Sequence, residues 1–198
     1  MASLKAFLPQ LAKLVDVTPD ALYTRQRALT QIGVLKATKG RGPGSGVALS
    51  GEAVAAMIIA LMAADSLQET DQRVARTCNA VAKDGPCAWT GAATFQSALA
   101  AVLLSEERVK SLRSLTISRG VIAAISWDPG PGHLPPPTGR PSTDYLRKQP
   151  FFRVRTSTFD IHRTRGRLPV FAIGASLNYP QIIPQISKAL LTTLGDPV

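Results

Sequence analysis

A stripe of apolar residues close to the N-terminus places the strongest constraint on the fold. Their spacing of three and four residues predicts an amphipathic helix over residues 3–15. Asp16-Val17 interrupt the pattern, and Thr18-Pro19 have the order of an N-cap followed by a proline in the first helical turn. A second helix is therefore predicted from Thr18 to Ile32, and Gly33 ends it. The stripe consists of Leu4, Phe7, Leu8, Leu11 and Leu14.

Two short strands are predicted after these helices. Residues 34–38 and 47–49 lie on either side of a basic, glycine-rich stretch from Gly40 to Gly46, which favours a hairpin. Ser50 can then cap a third helix, which ends near Ala64 and is apolar on nearly all sides. Such a helix needs cover on several sides, so we expect it to be buried, in part against a second subunit.

The first two helices meet most requirements of a helix-turn-helix. Ala12 is small where the two helices must come close together. Asp16 takes the turn position where glycine is usual, and aspartate tolerates left-handed backbone geometry better than most residues. Arg25 departs from the pattern, because that offset is usually apolar. The remaining apolar offsets are filled by Leu11, Val15, Val17 and Leu22.

The layout of residues 4–65 resembles the winged helix-turn-helix of bacterial regulators of the MarR and MerR type. In those proteins the recognition helix closes with a Leu…Gly-Leu pattern, here Leu29 to Leu35. A hairpin called the wing follows, and a Leu-Ser or Leu-Thr step, here Leu49-Ser50, opens the next helix. The resemblance covers about a third of the chain and implies that the protein binds double-stranded DNA.

The same resemblance implies which side chains contact DNA. The helix face opposite Leu22 and Leu29 would lie in the major groove, where arginine can bond guanine and threonine can touch a thymine methyl. Lysines would contact phosphates, Lys13 being equally well a solvated charge, and a wing arginine would enter the minor groove. The predicted DNA-binding residues are Thr18, Asp20, Tyr23, Thr24, Arg27, Lys36, Lys39 and Arg41.

Other kinds of site find little support in the sequence. The glycines from Gly40 to Gly46 fit neither a dinucleotide-binding fingerprint nor a P-loop, which favours a wing. Cys78 and Cys87 have no histidine or third cysteine nearby, so we expect no metal. His133 and His162 belong to no catalytic grouping, so neither an enzyme nor a cofactor is expected.

Helices and then strands are predicted beyond residue 65. The helices cover residues 68–82 and 94–110, with a last one at 181–194, and residues 128–142 form an irregular loop. We therefore expect an α+β fold, with a winged helix-turn-helix domain at residues 1–65. Residues 66–198 would form a helical and β-rich region, with an antiparallel sheet, for oligomerisation or partner binding. The predicted strands are 114–117, 121–125, 151–161 and 170–177.

Positive charge is concentrated in the C-terminal part of the chain. The net charge is +10, and a basic chain attracts polyanions such as DNA. Alternating arginines share one face of a strand, so they would form either a second DNA contact or a solvated edge that prevents sheet aggregation. These residues are Arg153, Arg155, Arg163, Arg165 and Arg167.

The sequence thus predicts a sequence-specific DNA-binding protein, a transcriptional regulator of the kind found in bacteria and phages. One recognition helix reads few base pairs, so a homodimer on two half-sites is expected. Two cysteines and the lack of a signal peptide or long apolar run predict a cytoplasmic protein away from membranes. The alternatives are a phage-type DNA-packaging or assembly protein, which would form a ring, and a protein-interaction module that binds no DNA.

Overall fold

The computed structural model describes residues 2–38, 46–64, 72–82, 86–118, 122–128, 155–160, 174–175 and 182–195. These residues form an α+β fold, as predicted, with antiparallel pairing in both sheets. The helices are α1 (Leu4–Val15), α2 (Pro19–Gln31), α3 (Gly51–Ala63), α4 (Gln72–Cys78), α5 (Phe95–Leu103), α6 (Glu106–Ser111) and α7 (Ile183–Leu194). The strands are β1 (Ala37–Thr38), β2 (Gly46–Val47), β3 (Val81–Ala82), β4 (Leu112–Ser118), β5 (Ile122–Trp127), β6 (Arg155–Asp160) and β7 (Gly174–Ala175).

A three-residue turn joins α1 to α2, and both predicted helices are confirmed. Asp16 ends α1 in the left-handed conformation, with φ 54° and ψ 50°, which agrees with its expected place in the turn. The Val17 amide donates to the Ala12 carbonyl at 3.1 Å. Thr18 caps α2 by accepting a hydrogen bond from the Ala21 amide at 3.3 Å. The turn is therefore fixed by backbone and side-chain bonds on both sides.

The strand pair after α2 is shorter than predicted. The amides of Val34 and Leu35 both donate to the Leu29 carbonyl, at 3.0 and 3.1 Å, so they close α2 rather than begin a strand. Among the described residues, β1 pairs with β2, with Ala37 opposite Val47, whereas Ala48 forms an isolated bridge with Ser3. The chain between them, residues 39–45, lies outside the described residues.

Helix α3 is buried, as predicted, but its cover comes from the same chain. Ser50 caps it by accepting from the Ala53 amide at 3.1 Å. Residues 53–60 are almost completely inaccessible, because α3 packs against α2, α4, α5 and β4. Gly51 lies close to the end of α5, since a Cβ there would lie 3.3 Å from the Ala100 carbonyl oxygen and 2.7 Å from Leu104 Cδ1. The burial of α3 therefore requires no second subunit.

The helix predicted over residues 68–82 is wrong at its C-terminal end. Helix α4 stops at Cys78, and the Asn79 side chain donates to the Ala75 carbonyl at 2.9 Å. Val81 and Ala82 pair instead with Asp160 and Phe159 of β6. Val81 and Ala82 form a strand because they pair with β6, almost 80 residues away, and local periodicity does not reveal that pairing.

The helix predicted over residues 94–110 is divided into two. Helix α5 ends at Leu103, and Ser105 caps α6 by accepting from the Arg108 amide at 3.4 Å. A serine placed just before two glutamates is a typical helix start, so the division has a local cause. The strand that follows starts at Leu112, two residues earlier than predicted.

The larger sheet contains five strands in the order β3-β6-β5-β4-β7. The predicted hairpin is confirmed as β4 and β5, with Leu115 opposite Ile125. Strands β6 and β7 fall within the predicted segments 151–161 and 170–177. The remaining residues of these two segments, and most of the predicted loop 128–142, lie outside the described residues.

One buried apolar cluster joins the two ends of the chain. It contains residues of α1, α2 and α3 together with α4, α5, the larger sheet and α7. Helix α7 packs against α1, α5 and α6, and the Ser187 hydroxyl donates to the Leu103 carbonyl at 2.6 Å. The cluster thus crosses residue 65, where the sequence suggests a domain boundary; that boundary stays a prediction. No helix among the described residues combines the length and the apolar character needed to cross a bilayer.

Candidate nucleic-acid interface

Helix α2 has one buried side and one exposed side. Leu22, Gln26 and Leu29, spaced by four and three residues, are buried. The opposite side carries an exposed row that we call the α2 stripe. Thr18, at the N-cap beside it, is exposed as well. The stripe consists of Asp20, Tyr23, Thr24, Arg27 and Gln31.

All five groove-facing residues predicted on this helix are therefore exposed. Two of them also serve the helix itself. The Thr18 side-chain oxygen caps α2. The Thr24 hydroxyl donates to the Asp20 carbonyl at 2.9 Å. Thr24 can thus offer a partner its methyl group and oxygen lone pairs, but not its proton, unless that bond breaks.

Tyr23 is held in place by a lysine that the sequence pattern does not single out. Its side chain is 37% exposed, and Lys5 Nζ lies 5.1 Å from the centroid of its ring. A cation over the ring is attracted by the negative face of the π system. Lys5 comes from α1, so the packing of α1 on α2 creates this contact and adds a positive charge beside the stripe.

Exposed cations without ion pairs among the described residues lie on α1, in the α2 stripe and directly before β1. Lys13, Arg27 and Lys36 are exposed, and none has a carboxylate within ion-pair distance among the described residues. Arg25, on the same helix, is only half exposed, and its Nε is buried without a hydrogen-bond partner in the described part of the chain. The arrangement suits a polyanion, because free cations lose no ion pair when they meet a phosphate.

A cleft lies between α2 and the β1–β2 pair, and we call it the α2 cleft. Its volume is about 300 Å³. Gln26 is 7% exposed at this cleft, and its Oε1 has no hydrogen-bond partner among the described residues. Sequence reasoning missed Gln26, although a polar residue at core spacing between Leu22 and Leu29 was a visible sign. The lining consists of Tyr23, Gln26, Arg27, Thr30, Gln31, Ala37, Gly46 and Val47.

The structure tests few of the remaining predicted contacts. Lys39 and Arg41 lie outside the described residues, as do Arg153, Arg163, Arg165 and Arg167. Arg155 begins β6, where its backbone pairs with Trp127 of β5. Since β6 lies between β5 and β3, it is an inner strand of the sheet. Only Phe159 and Asp160 pair with β3, however.

The two cysteines lie in the core and are not joined by a disulfide bond. Burial removes water from the Cys78 thiol and raises its pKa to about 12. Within the described part of the chain, no three histidine, cysteine or carboxylate side chains come close enough to hold a metal ion.

In comparisons with known proteins, no family model, curated protein or solved structure matches this chain.

Proposed function

We propose that the chain binds double-stranded DNA sequence-specifically through the α2 stripe and acts as a transcriptional regulator in the cytoplasm. The observation that supports this proposal most directly is the exposed stripe, with an arginine free of carboxylate partners among the described residues. A helix of this kind fits the major groove, where arginine bonds guanine and aspartate accepts from cytosine. The proposal includes no catalytic step, metal or cofactor.

Exposed lysines on α1 and directly before β1 would contact the phosphate backbone. Lys5 and Lys13 come from α1, and Lys36 lies directly before β1. Phosphate contacts of this kind fix the register of a protein on DNA without reading sequence. The short turn at Asp16 holds α1 and α2 at a fixed angle, so the flanking lysines keep their position relative to the stripe.

The expected assembly is a homodimer, because one helix reads few base pairs and two half-sites raise both affinity and specificity. The mass of the full chain in solution tests this, together with sequencing of the genomic DNA that it retains. A ring of eight or more subunits would instead favour a DNA-packaging or assembly protein. The absence of salt-dependent affinity for DNA would favour a protein-interaction module.

A pair of variants tests the role of the stripe once a retained DNA site is known. Arg27→Ala should weaken binding to the specific site by about 1–3 kcal/mol and leave weak binding to random DNA nearly unchanged, because base contacts carry specificity. Lys36→Ala should weaken binding to both DNAs to a similar extent, because a phosphate contact reads no sequence. Fluorescence anisotropy with labelled duplexes measures both.

Lys110→Ala is the matched control, because it also removes one exposed positive charge. Lys110 lies on α6, where its ion-pair partner among the described residues is an exposed glutamate, Glu106, at 3.9 Å. The control should bind both duplexes as the unaltered protein does. Equal losses on specific and random DNA for Arg27→Ala would make Arg27 a phosphate contact, and no loss on either would remove the stripe from the interface.

A further inference from the structure

The α2 cleft has the chemistry of a ligand site. Its volume of about 300 Å³ lies at the lower end of the range for small-molecule pockets. Helix α2 forms one wall and the β1–β2 pair the other. Two elements therefore border an open groove of small-molecule size beside the α2 stripe.

Gln26 lines the cleft and carries a buried hydrogen-bond acceptor without a partner among the described residues. Its side chain is more than nine-tenths buried, and Oε1 has no hydrogen-bond partner among the described residues. Buried amide oxygens in folded proteins nearly always accept a hydrogen bond. The terminal torsion of a glutamine is soft, so the amide can turn towards a donor that enters the cleft. An N–H donor from a bound molecule would satisfy this oxygen.

The rest of the lining favours an anion with an aromatic part. Arg27 lines the cleft with a free guanidinium, and no carboxylate is among the described lining residues. Tyr23 adds an aromatic ring at the same wall. The Thr30 hydroxyl donates to the Gln26 carbonyl at 2.8 Å, which leaves its oxygen free to accept a second donor. Donors, an aromatic ring and a negative charge occur together in a nucleotide.

We propose that the α2 cleft binds a nucleotide, with N–H groups of the base towards Gln26 and Thr30 and the phosphate on Arg27. The nucleotide has two possible sources, a free mononucleotide and a nucleotide unit of a DNA strand. Tyr23 and Arg27 belong to both the cleft and the stripe. A free nucleotide in the cleft would therefore compete with DNA. This competition rests on the proposed DNA binding.

Calorimetric titration of the full chain without DNA tests the cleft directly. The probes are the four nucleoside 5′-monophosphates, with inorganic phosphate and the nucleosides as partial ligands. At least one monophosphate should bind ten or more times more tightly than phosphate or its own nucleoside. Equal binding of phosphate and of the monophosphates would show an anion site only and would overturn the proposal.

Gln26→Met separates ligand binding from folding. Methionine keeps the length and removes the amide, so the melting temperature should stay the same or rise while affinity for the monophosphate falls about tenfold. Gln10→Met, an exposed change on α1, is the matched control and should alter neither quantity. Thr30→Val is the second variant if Gln26→Met does not fold. Unchanged affinity in the folded cleft variant would overturn the proposal.

A displacement experiment distinguishes the two sources. A free mononucleotide that binds and displaces labelled duplex supports competition at one site. If mononucleotides do not bind but Gln26→Met weakens duplex binding about tenfold, the nucleotide belongs to the DNA strand. If neither result is found, the cleft takes no nucleotide. A chain that binds mononucleotides and no DNA keeps the cleft proposal and loses the proposed function.

Discussion

At the scale of single residues, burial decides the chemistry of Cys78. The residue ends α4, which packs against α3 and α5, and only 1% of its surface is exposed. Removal from water disfavours the thiolate, which raises the pKa of the thiol to about 12. The thiolate is the reactive form of cysteine, so this side chain is inert at neutral pH and acts as a small apolar residue.

The raised pKa predicts a loss of stability at high pH. In the unfolded chain the thiol releases its proton near pH 9.0, whereas in the folded chain it keeps the proton up to about pH 12. The contribution of Cys78 to stability is therefore fully present below pH 9 and is lost as the pH rises from 9 towards 12. The free energy of unfolding should fall more steeply than in Cys78→Ala, by up to about 1.4 kcal/mol per pH unit.

Urea unfolding at several pH values above 9 measures this difference. The Cys78→Ala variant is the proper reference, because tyrosines and lysines titrate over the same range in both proteins. Parallel curves for the two proteins would mean that the Cys78 thiol ionises in the folded state as easily as in the unfolded chain.

Residues of the α2 stripe could be predicted because exposure follows directly from helical periodicity. Tyr23 and Arg27 are four residues apart, and both are exposed as expected. The contact of Lys5 with Tyr23 could not be predicted, since it depends on how α1 packs on α2. Gln26 was missed for another reason. The sequence pattern identifies the buried face by Leu22 and Leu29 alone, although the polar Gln26 lies between them at core spacing.

At the scale of elements, the turn between α1 and α2 depends on one backbone conformation. Asp16 is the one non-glycine residue of the described chain with positive φ. Left-handed geometry is costly for most residues, is tolerated by aspartate and is free for glycine. The angle between the two helices therefore depends on which residue stands at position 16.

Substitution of Asp16 should separate backbone strain from side-chain effects. Asp16→Gly should leave the free energy of unfolding unchanged or slightly higher, because glycine adopts this φ without strain. Asp16→Val should lower it by about 1–2 kcal/mol, because a β-branched residue is disfavoured in the left-handed region. Chemical denaturation of both variants gives the comparison. Equal stability of the two would show that the turn adopts another conformation.

The elements themselves could be predicted far better than their ends. Thr18 and Ser50 mark helix starts that depend only on neighbouring residues, and both are confirmed. Val81-Ala82 could not be identified as a strand, because their partner is β6. The predicted start of β1 is wrong because the amides of Val34 and Leu35 donate to the Leu29 carbonyl at the end of α2 instead of pairing in a strand.

At the scale of the whole molecule, positive charge is distributed unevenly. Residues 111–198 contain eleven lysines and arginines against four carboxylates, a net charge of +7 out of +10. Five arginines between positions 153 and 167 account for most of this excess, and the described structure contains only the backbone of Arg155 among them. Their role as a second DNA contact or as a charged edge is still a prediction.

Salt dependence distinguishes the two roles of these arginines. If Arg153 and Arg155 contact phosphates, changing both to Gln should reduce the slope of log affinity against log salt by roughly 0.9 for each contact and weaken binding to all sequences. If they protect a sheet edge, DNA affinity should stay the same and aggregation should increase. An unchanged slope in a folded double variant would exclude phosphate contact. The control is the double variant in which Lys110 and Lys188 are changed to Gln, because it also removes two positive charges but at other positions of the chain.

The shared core of α1 and α7 has a consequence for the synthesis of the chain. Helices α1 and α2 leave the ribosome before α7, which packs against α1 and begins more than 150 residues after the end of α2. Until then the apolar side of α1 lacks part of its cover, whereas α3 lacks its main partner only until α5 has been made. Folding of the N-terminal helices is therefore expected to be completed after translation, and a nascent chain halted before residue 183 should need a chaperone to stay in solution.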